Sequence, residues 1–476
     1  MVGDDDAAAG VTVADAASAV ERLLDELADV QRHDFGAGRD ERTRATASAA
    51  RAVLDRVRAV SPKDDARLAY WHGKLRTHAS EAFDQAAVEY LQNAVRQDPA
   101  LYDAWNCLGE CYWKKRDMPS ARSCFESAIA HNPNPRSYQN LSIVIRSSAS
   151  KLSPGPEVLE SVEASRMALK LDVRDGHSWY LFGNAMLSKF FLASHDPADL
   201  SSAFKAYQKA EAALVHSSSN NPDMYFNRAT ARWYMEDYSL AIQDFSKAAS
   251  LDPSLTIAAD HIAEIESFVS RLVRQIASRR GTAKPKSPTD PETTYTMIRA
   301  QYPNRLPAFP GPGSTSDAVQ KWSQAVQAGC EGLPKDRRAQ LLHATSHLVA
   351  KQLSAGRPML QLASLPTNGQ PTRGLLCLEM SVSVFRKRGI PCTMVCVSGQ
   401  EAVAVSVYHT TSDALGTIRP GDPVFIVDPI ARTVEVVIQD RPVSYPCIQV
   451  KDPRTLIAGP APFAPVHPQL RFDNQP

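Results

Sequence analysis

Residues 102–135 read YDAWNCLGECYWKKRDMPSARSCFESAIAHNPNP, and this stretch decides the fold. With Tyr102 as position 1, Trp105, Leu108, Gly109 and Tyr112 fall at positions 4, 7, 8 and 11. Ala121, Phe125, Ala128 and Pro133 fall at positions 20, 24, 27 and 32. Side chains three or four apart share one face of a helix, so the first set forms one apolar stripe and the second another. Gly109 and Ala121 are small where the two helices must cross closely, and Pro133 ends the second helix. A single helix pair of this size cannot bury its apolar face, so stacked neighbours are predicted.

The neighbours follow at the 34-residue period of the tetratricopeptide repeat (TPR). Upstream, Ala87, Leu91, Ala94 and Pro99 hold positions 20, 24, 27 and 32, with Trp71 and Gly73 in the preceding helix. Downstream, Trp179, Phe182, Gly183 and Met186 restart the first helix (helix A) of a unit, and Ala203, Tyr207 and Ala210 close its second (helix B) after an over-long loop around FFLASHDPADL. Tyr225, Arg228, Ala229, Ala241, Phe245, Ala248 and Pro253 keep the frame once more. A degenerate unit lies at roughly 136–175, a terminal helix at 256–280, and two helices at roughly 12–32 and 40–60 precede the array. Stacked units make a concave groove suited to peptides, which points to recognition rather than catalysis.

The 476 residues carry Lys+Arg 53 and Asp+Glu 52, a net charge of +1, so no global field draws the chain to nucleic acid or membrane. The 8 cysteines show neither CxxC nor Cys/His ligand spacing, and no metal or cofactor is expected. No apolar run approaches the roughly 18 residues of a membrane span. The acidic MVGDDDAAAG start is neither secretory nor mitochondrial in type, so the cytosol, the nucleus or both are expected. There is no Walker loop, GxSxG or HExxH, and no enzyme activity is expected.

Beyond Arg280 the texture changes. Polar, Pro-rich stretches (GTAKPKSPTDPETT, RLPAFPGPGSTSD) flank a helical segment at 315–355. From about 375 the period becomes two. LLCLEMSVSVF, CTMVCVSG, AVAVSVYHTT, PVFIVDP, TVEVVIQD and YPCIQVKDP read as six short strands, with a turn at Pro420, Gly421 and Asp422. A small closed OB-type barrel is the first choice and a small sandwich the second. The expected fold class is α+β multidomain: an N-terminal all-α TPR solenoid followed by a small all-β OB-fold-like barrel. The expected boundaries are 1–60 (N-terminal helices), 61–280 (TPR array), 281–368 (linker with helical insert), 369–460 (OB-fold-like domain) and 461–476 (tail).

Several exact words of the chain carry a resemblance. They are AWNCLGECYWKK (104–115), NLSIVIR (140–146), DGHSWYLFGN (175–184), NPDMYFNRAT (221–230), AIQDFSKAASLDP (241–253), AVAVSVYH (402–409) and IRPGDPVFIVDP (418–429). In these words and in its order of parts the chain resembles the tetratricopeptide repeat protein 5 family. The likeness is good over roughly 65–280 and moderate over 370–455, and does not cover the first 60 residues or 283–368. It implies a cofactor of tubulin autoregulation. Such a protein recognises the Met-Arg-Glu-type N-terminal peptide of nascent tubulin at the ribosome and triggers decay of the mRNA being translated. By the same resemblance Arg146 pairs with the peptide's acidic side chain and Asp223 with its arginine. The chain departs from the family where a further acidic groove residue is expected: an ungapped count from Asp223 lands on Ile257, with Asp260 or Glu264 as substitutes from a neighbouring turn.

Asn106, Glu110, Asn184, Asp223 and Asn227 occupy helix-A positions that face a TPR groove, and Asn140 precedes Arg146 on the degenerate helix A. Asparagine offers donor and acceptor together to an extended peptide backbone. A clamp for a C-terminal carboxylate is disfavoured, because Asp223 would repel it. The basic run Arg271, Arg274, Arg279, Arg280, Lys284 and Lys286 reads either as a solvated helix end or as a phosphate contact. The resemblance implies that Arg279, Arg280, Lys284 and Lys286 touch ribosomal RNA. Two other readings fit the same parts: a nuclear transcription coactivator scaffold that binds other proteins through these surfaces, and a nucleic-acid binder through the barrel. The barrel's few strand aromatics (Phe385, Tyr408, Phe425, Tyr445) and the Arg386–Arg388 cluster weigh against the last.

Overall fold

The structure is a computed structural model that describes residues 13–33, 38–60, 65–148, 155–214, 221–280, 291–308, 316–353, 359–384, 391–398, 400–410 and 418–458. The chain divides into two compact units. One holds the described residues up to Ala231 together with Asp244–Ala258; the other holds Arg232–Gln243 and the described residues from Ala259 onward.

In the first unit, helices α1 (Val13–His33) and α2 (Arg39–Val60) precede paired helices A and B. These are α3 (Ala66–Ala79) with α4 (Gln85–Gln97), α5 (Tyr102–Lys114) with α6 (Met118–His131), α7 (Pro135–Ser148) with α8 (Gly155–Leu171), and α9 (Gly176–Lys189) with α10 (Pro197–Leu214). The fifth pair, α11 (Pro222–Tyr234) with α12 (Tyr238–Leu251), and the following α13 (Thr256–Arg279) run through both units, α13 belonging to the second from Ala259 onward. The over-long loop of the fourth pair is a π-helical turn, Phe190–Ser194, ended by left-handed His195. Val20, Leu24 and Leu27 of α1 and Leu54 of α2 share a core with Leu68, Leu75 and Leu91, so the two leading helices seal the first pair.

A glycine or alanine at position 8 lets helix B lay a large side chain against helix A. A Cβ on Gly109 would stand 2.6 Å from Cε1 of Phe125, and one on Gly183 2.7 Å from Cε1 of Tyr207. Gly73 meets Leu91 in the same way. The degenerate third pair replaces this with serines: Ser142 Oγ donates to the Ser161 carbonyl at 2.9 Å and Ser161 Oγ to the Ser142 carbonyl at 3.0 Å. In the fifth pair Arg228 stands where the signature has Leu. It is buried, and both arms of its fork reach Asp244 at 2.8 Å while Nη1 reaches Glu211 at 2.7 Å, so no charge is left alone.

The second unit carries strands β1 (Met359–Leu360), β2 (Asn368–Pro371), β3 (Leu375–Val384), β4 (Cys392–Ser398), β5 (Glu401–Val407), β6 (Pro423–Val427), β7 (Ile430–Ile438), β8 (Arg441–Val450) and β9 (Leu456–Ala458). The sheet order is β2-β7-β8-β5-β4-β3-β6-β9, with β1 pairing β3. All six expected strands are present; the short β1, β2 and β9 are additions. Pairing is antiparallel except for β5 with β8 and β1 with β3. The turn before β6 has Pro420 at its second position and Gly421 (φ +94°) at its third, closed by Asp422 N–H to the Arg419 carbonyl at 3.0 Å.

Alternation along the strands gives the sheet two buried faces. Leu376, Leu378, Met380, Val424, Ile426 and Leu456 enter one core. Leu375, Phe425 and Ile457 enter another, shared with Tyr295, Trp322, Val326, Leu341 and Leu348. Those partners belong to helices α14 (Pro291–Gln301), α15 (Ser316–Gly329) and α16 (Lys335–Leu353). The helices within the 281–368 stretch therefore cover one sheet face.

The α11–α12 turn belongs to this second unit, and its Glu236 is fully buried. Its carboxylate accepts from Ser406 Oγ at 2.6 Å, Tyr408 OH at 3.0 Å and Gln449 Nε2 at 3.1 Å. Arg432 donates to the carbonyls of Met235 and Glu236, each at 3.3 Å, and to Asp237 Oδ1 at 3.0 Å.

Two stability outcomes follow. Gly109→Val overpacks against Phe125 and is expected to cost about 1–3 kcal/mol, with the loss reduced in a Phe125→Leu background, by urea denaturation. Glu236→Ala removes the acceptor shared by buried Ser406, Tyr408 and Gln449 and is expected to cost about 3–5 kcal/mol in the second unit, more than Glu236→Gln, which still offers an acceptor.

Candidate functional site

The candidate site is assembled from residues of α7, α9, α10 and α11 that belong to the first unit. Arg146 lies in the last turn of α7 and is half-buried. Its Nη1 is enclosed and has no hydrogen-bond partner among the described residues. Burial lowers the guanidinium's pKa, countered in part by the neighbouring hydroxyls of Tyr180 and Tyr207.

Gly183 lets the Tyr207 ring cross α9, and the Tyr207 hydroxyl then donates to Asn184 Oδ1 at 2.7 Å. Asn227 Nδ2 of α11 donates to the same oxygen at 3.1 Å. The Oδ1 of Asn227 is enclosed without a partner. Tyr180 is pushed above the ordinary phenol range, first by burial and then by the Asp223 carboxylate; a bond with Asn184, the charge of Arg146 and a bond with Asn221 pull the other way. Asp223 opens α11, where its N–H donates to Asn221 Oδ1 at 2.9 Å, and it is half-buried. The half-buried cation of Arg146 and the half-buried anion of Asp223 thus both act on one hydroxyl. The set offers a planar fork to a carboxylate, a carboxylate to a cation, and an amide oxygen to a peptide N–H.

The structure thus brings Arg146, Asn184, Asp223 and Asn227 together. Asn140 and Asn106 belong to a different cluster. Asn140 Nδ2 donates to Glu110 Oε1 at 3.3 Å, an oxygen that also receives Arg136 at 2.9 Å. Asn106 is fully enclosed, and neither of its amide atoms has a partner among the described residues. Ile257 is half-buried, Asp260 exposed and Glu264 half-buried. Arg279 and Arg280 are exposed at the end of α13, and Arg280 also lines a cavity of about 200 Å³ with Gln400, Glu401 and Arg432. Lys284, Lys286, Phe385 and Arg386–Arg388 lie outside the described residues.

Tyr180 and Tyr207 were not among the expected site residues. Tyr207 satisfied position 24 and so read as core. Tyr180, four residues before Asn184 on the groove face, was the available signal.

The family model described as the tetratricopeptide repeat protein 5 OB fold domain matches residues 359–466. Two tetratricopeptide repeat models match residues 78–142 and 222–255. Tetratricopeptide repeat protein 5 of Mus musculus is 42% identical over 200 residues, 41% of this chain and 44% of its own. The Bos taurus protein is 37% identical over 234 residues (48% and 50%), and the Homo sapiens protein 38% over 206 residues (43% and 46%). The chain spans about half the length of the curated relatives it matches. Among the described residues no helix is long and apolar enough to cross a membrane.

An enclosed guanidinium nitrogen without a partner opposes folding. Arg146→Met keeps the aliphatic stem and removes the charge, and is expected to raise the thermal midpoint above that of the wild type in differential scanning calorimetry.

Proposed function

We propose that this chain, whose repeats and OB-fold domain are similar to those of the tetratricopeptide repeat protein 5 family, is a peptide-recognition adaptor that reads the N-terminus of nascent tubulin at the ribosome and triggers decay of the tubulin mRNA being translated. The observation that carries this reading is the enclosed, partnerless Nη1 of Arg146 beside Tyr180, with Asp223 acting on the same hydroxyl. A fold leaves a buried cation incompletely paired where a ligand completes it. A Met-Arg-Glu-type peptide presents a carboxylate and a guanidinium one residue apart, the inverse of this pair. Asn184 and Asn227 supply the amide groups that hold the peptide backbone.

The ribosome contact falls to Arg279, Arg280, Lys284 and Lys286 through the phosphate backbone of ribosomal RNA, with affinity that drops as salt rises. This reading puts the working protein in the cytoplasm. Strand-binding by the OB-fold domain is disfavoured: Tyr408, Phe425 and Tyr445 are buried and offer no stacking face.

The test is calorimetric titration with a Met-Arg-Glu-Ile peptide bearing a free N-terminus. The wild type is expected to bind, and Arg146→Ala and Asp223→Ala each to weaken binding by about 10–100-fold, the equivalent of one charge-assisted hydrogen bond of about 1.5–3 kcal/mol. Absence of binding by the wild type, or undiminished binding by both variants, would overturn the reading.

A further inference from the structure

We propose that His78, Cys107 and Glu110 form a binding site for a zinc-class divalent cation, built between α3 and α5 and separate from the peptide site. One ligand atom from each residue (an imidazole nitrogen, the Cys107 Sγ and a Glu110 carboxylate oxygen) lies within 4.8 Å of the other two. Zinc–ligand bonds of about 2.0–2.3 Å in a tetrahedron give ligand–ligand edges of roughly 3.3–3.8 Å. His78 Nε2 and Glu110 Oε2 are 3.6 Å apart, an ion pair when the imidazole is protonated and already the length of a tetrahedron edge. Nitrogen, sulfur and carboxylate oxygen together suit zinc over magnesium or calcium, which take oxygen alone.

The surroundings are those that orient metal ligands. The other ring nitrogen of His78 faces Gln31 Oε1 at 3.4 Å, which favours a proton on Nδ1 and a lone pair on Nε2. The other carboxylate oxygen of Glu110 is held by Arg136 at 2.9 Å and Asn140 at 3.3 Å, and Oε2 lies 3.6 Å from His78 Nε2. A second, independent observation is Asn106. It is fully enclosed, both amide atoms lack a partner, and it lies four residues before Glu110 on the same helix face. Its amide is costly to bury unpartnered, and the fourth position of the tetrahedron would be taken by water.

Thiolate and carboxylate balance the charge of the ion. Arg136 faces Glu110, and Lys74 is occupied by Asp25 at 2.5 Å. On binding, the metal replaces the Cys107 thiol proton, which passes to the buffer. Glu110 remains partly exposed at its side chain, 16%, which leaves an entry route. Spacing along the chain could not reveal this site, because His78 and Cys107 come from different repeats.

The test is cobalt(II) and zinc titration of the reduced full-length chain, followed by absorbance and equilibrium dialysis. Circular dichroism checks that each variant is folded. One equivalent of cobalt with a thiolate-to-cobalt charge-transfer band is expected. Cys107→Ser should abolish the band, His78→Gln should weaken zinc binding at least tenfold, and Cys124→Ser should leave both unchanged. Should Cys107→Ser fail to fold, zinc protection of Cys107 from alkylation in the wild type, located by mass spectrometry, carries the same test. No stoichiometric binding by the wild type, a band that survives Cys107→Ser, or no protection of Cys107 would overturn the proposal.

Discussion

Two helices can lie against each other only where one of them withholds a side chain, and the TPR units depend on that constraint. Gly73, Gly109 and Gly183 each admit a large residue from helix B, Leu91, Phe125 and Tyr207 in turn. At Gly183 the constraint reaches the candidate site. The Tyr207 ring occupies the space a Cβ would take, and this puts its hydroxyl on Asn184, which in turn holds Asn227. Core packing and site geometry are one arrangement here. The third pair meets the same requirement by another route, since Ser142 and Ser161 each bond the other's backbone carbonyl and so need no cavity for a large partner.

The helix-A-to-B turn shows how one local conformation serves two ends. Arg116 and Glu236 occupy the same turn position, with φ of 67° and 62°, and their N–H groups bond back three residues to Trp113 and Trp233. Arg116 is exposed, while Glu236 is fully buried among Ser406, Tyr408 and Gln449. The left-handed backbone is a property of the turn; the fate of the side chain is decided by residues some 170 positions away. A buried carboxylate that satisfies three donors accepts no shifted register, so it specifies one arrangement of β5 and β8 against this turn.

The repeats were legible because their code is local: positions 4, 7, 8 and 11 speak of one helix face, and Gly109 names its partner Phe125 within the same unit. The six longer strands were legible for the same reason, by alternation. What stayed hidden is long-range. Nothing in the period of Tyr295, Trp322 and Leu341 says that they cover Leu375 and Phe425. β1, β2 and β9 are too short for alternation to register. At the site, Arg146 and Asp223 came from resemblance. The link through Tyr180 and Tyr207 came only from the fold, because a tyrosine at position 24 reads as core until its hydroxyl is seen to reach Asn184.

The proposed peptide reader is asymmetric, and the asymmetry has a physical consequence. Its cationic half, Arg146, is enclosed, where the low local dielectric strengthens a charge-assisted bond and makes an unmatched guest costly. Its anionic half, Asp223, is half-buried, as Arg146 is outside its enclosed Nη1, and Ile257 stands where the resemblance places a second acid. Without a second acid at Ile257, the guest arginine meets a single carboxylate. Discrimination therefore rests mainly on the acidic residue of the guest. A guest with glutamine in place of that acid loses the full interaction, whereas lysine in place of the guest arginine keeps the charge that Asp223 reads and loses only the fork.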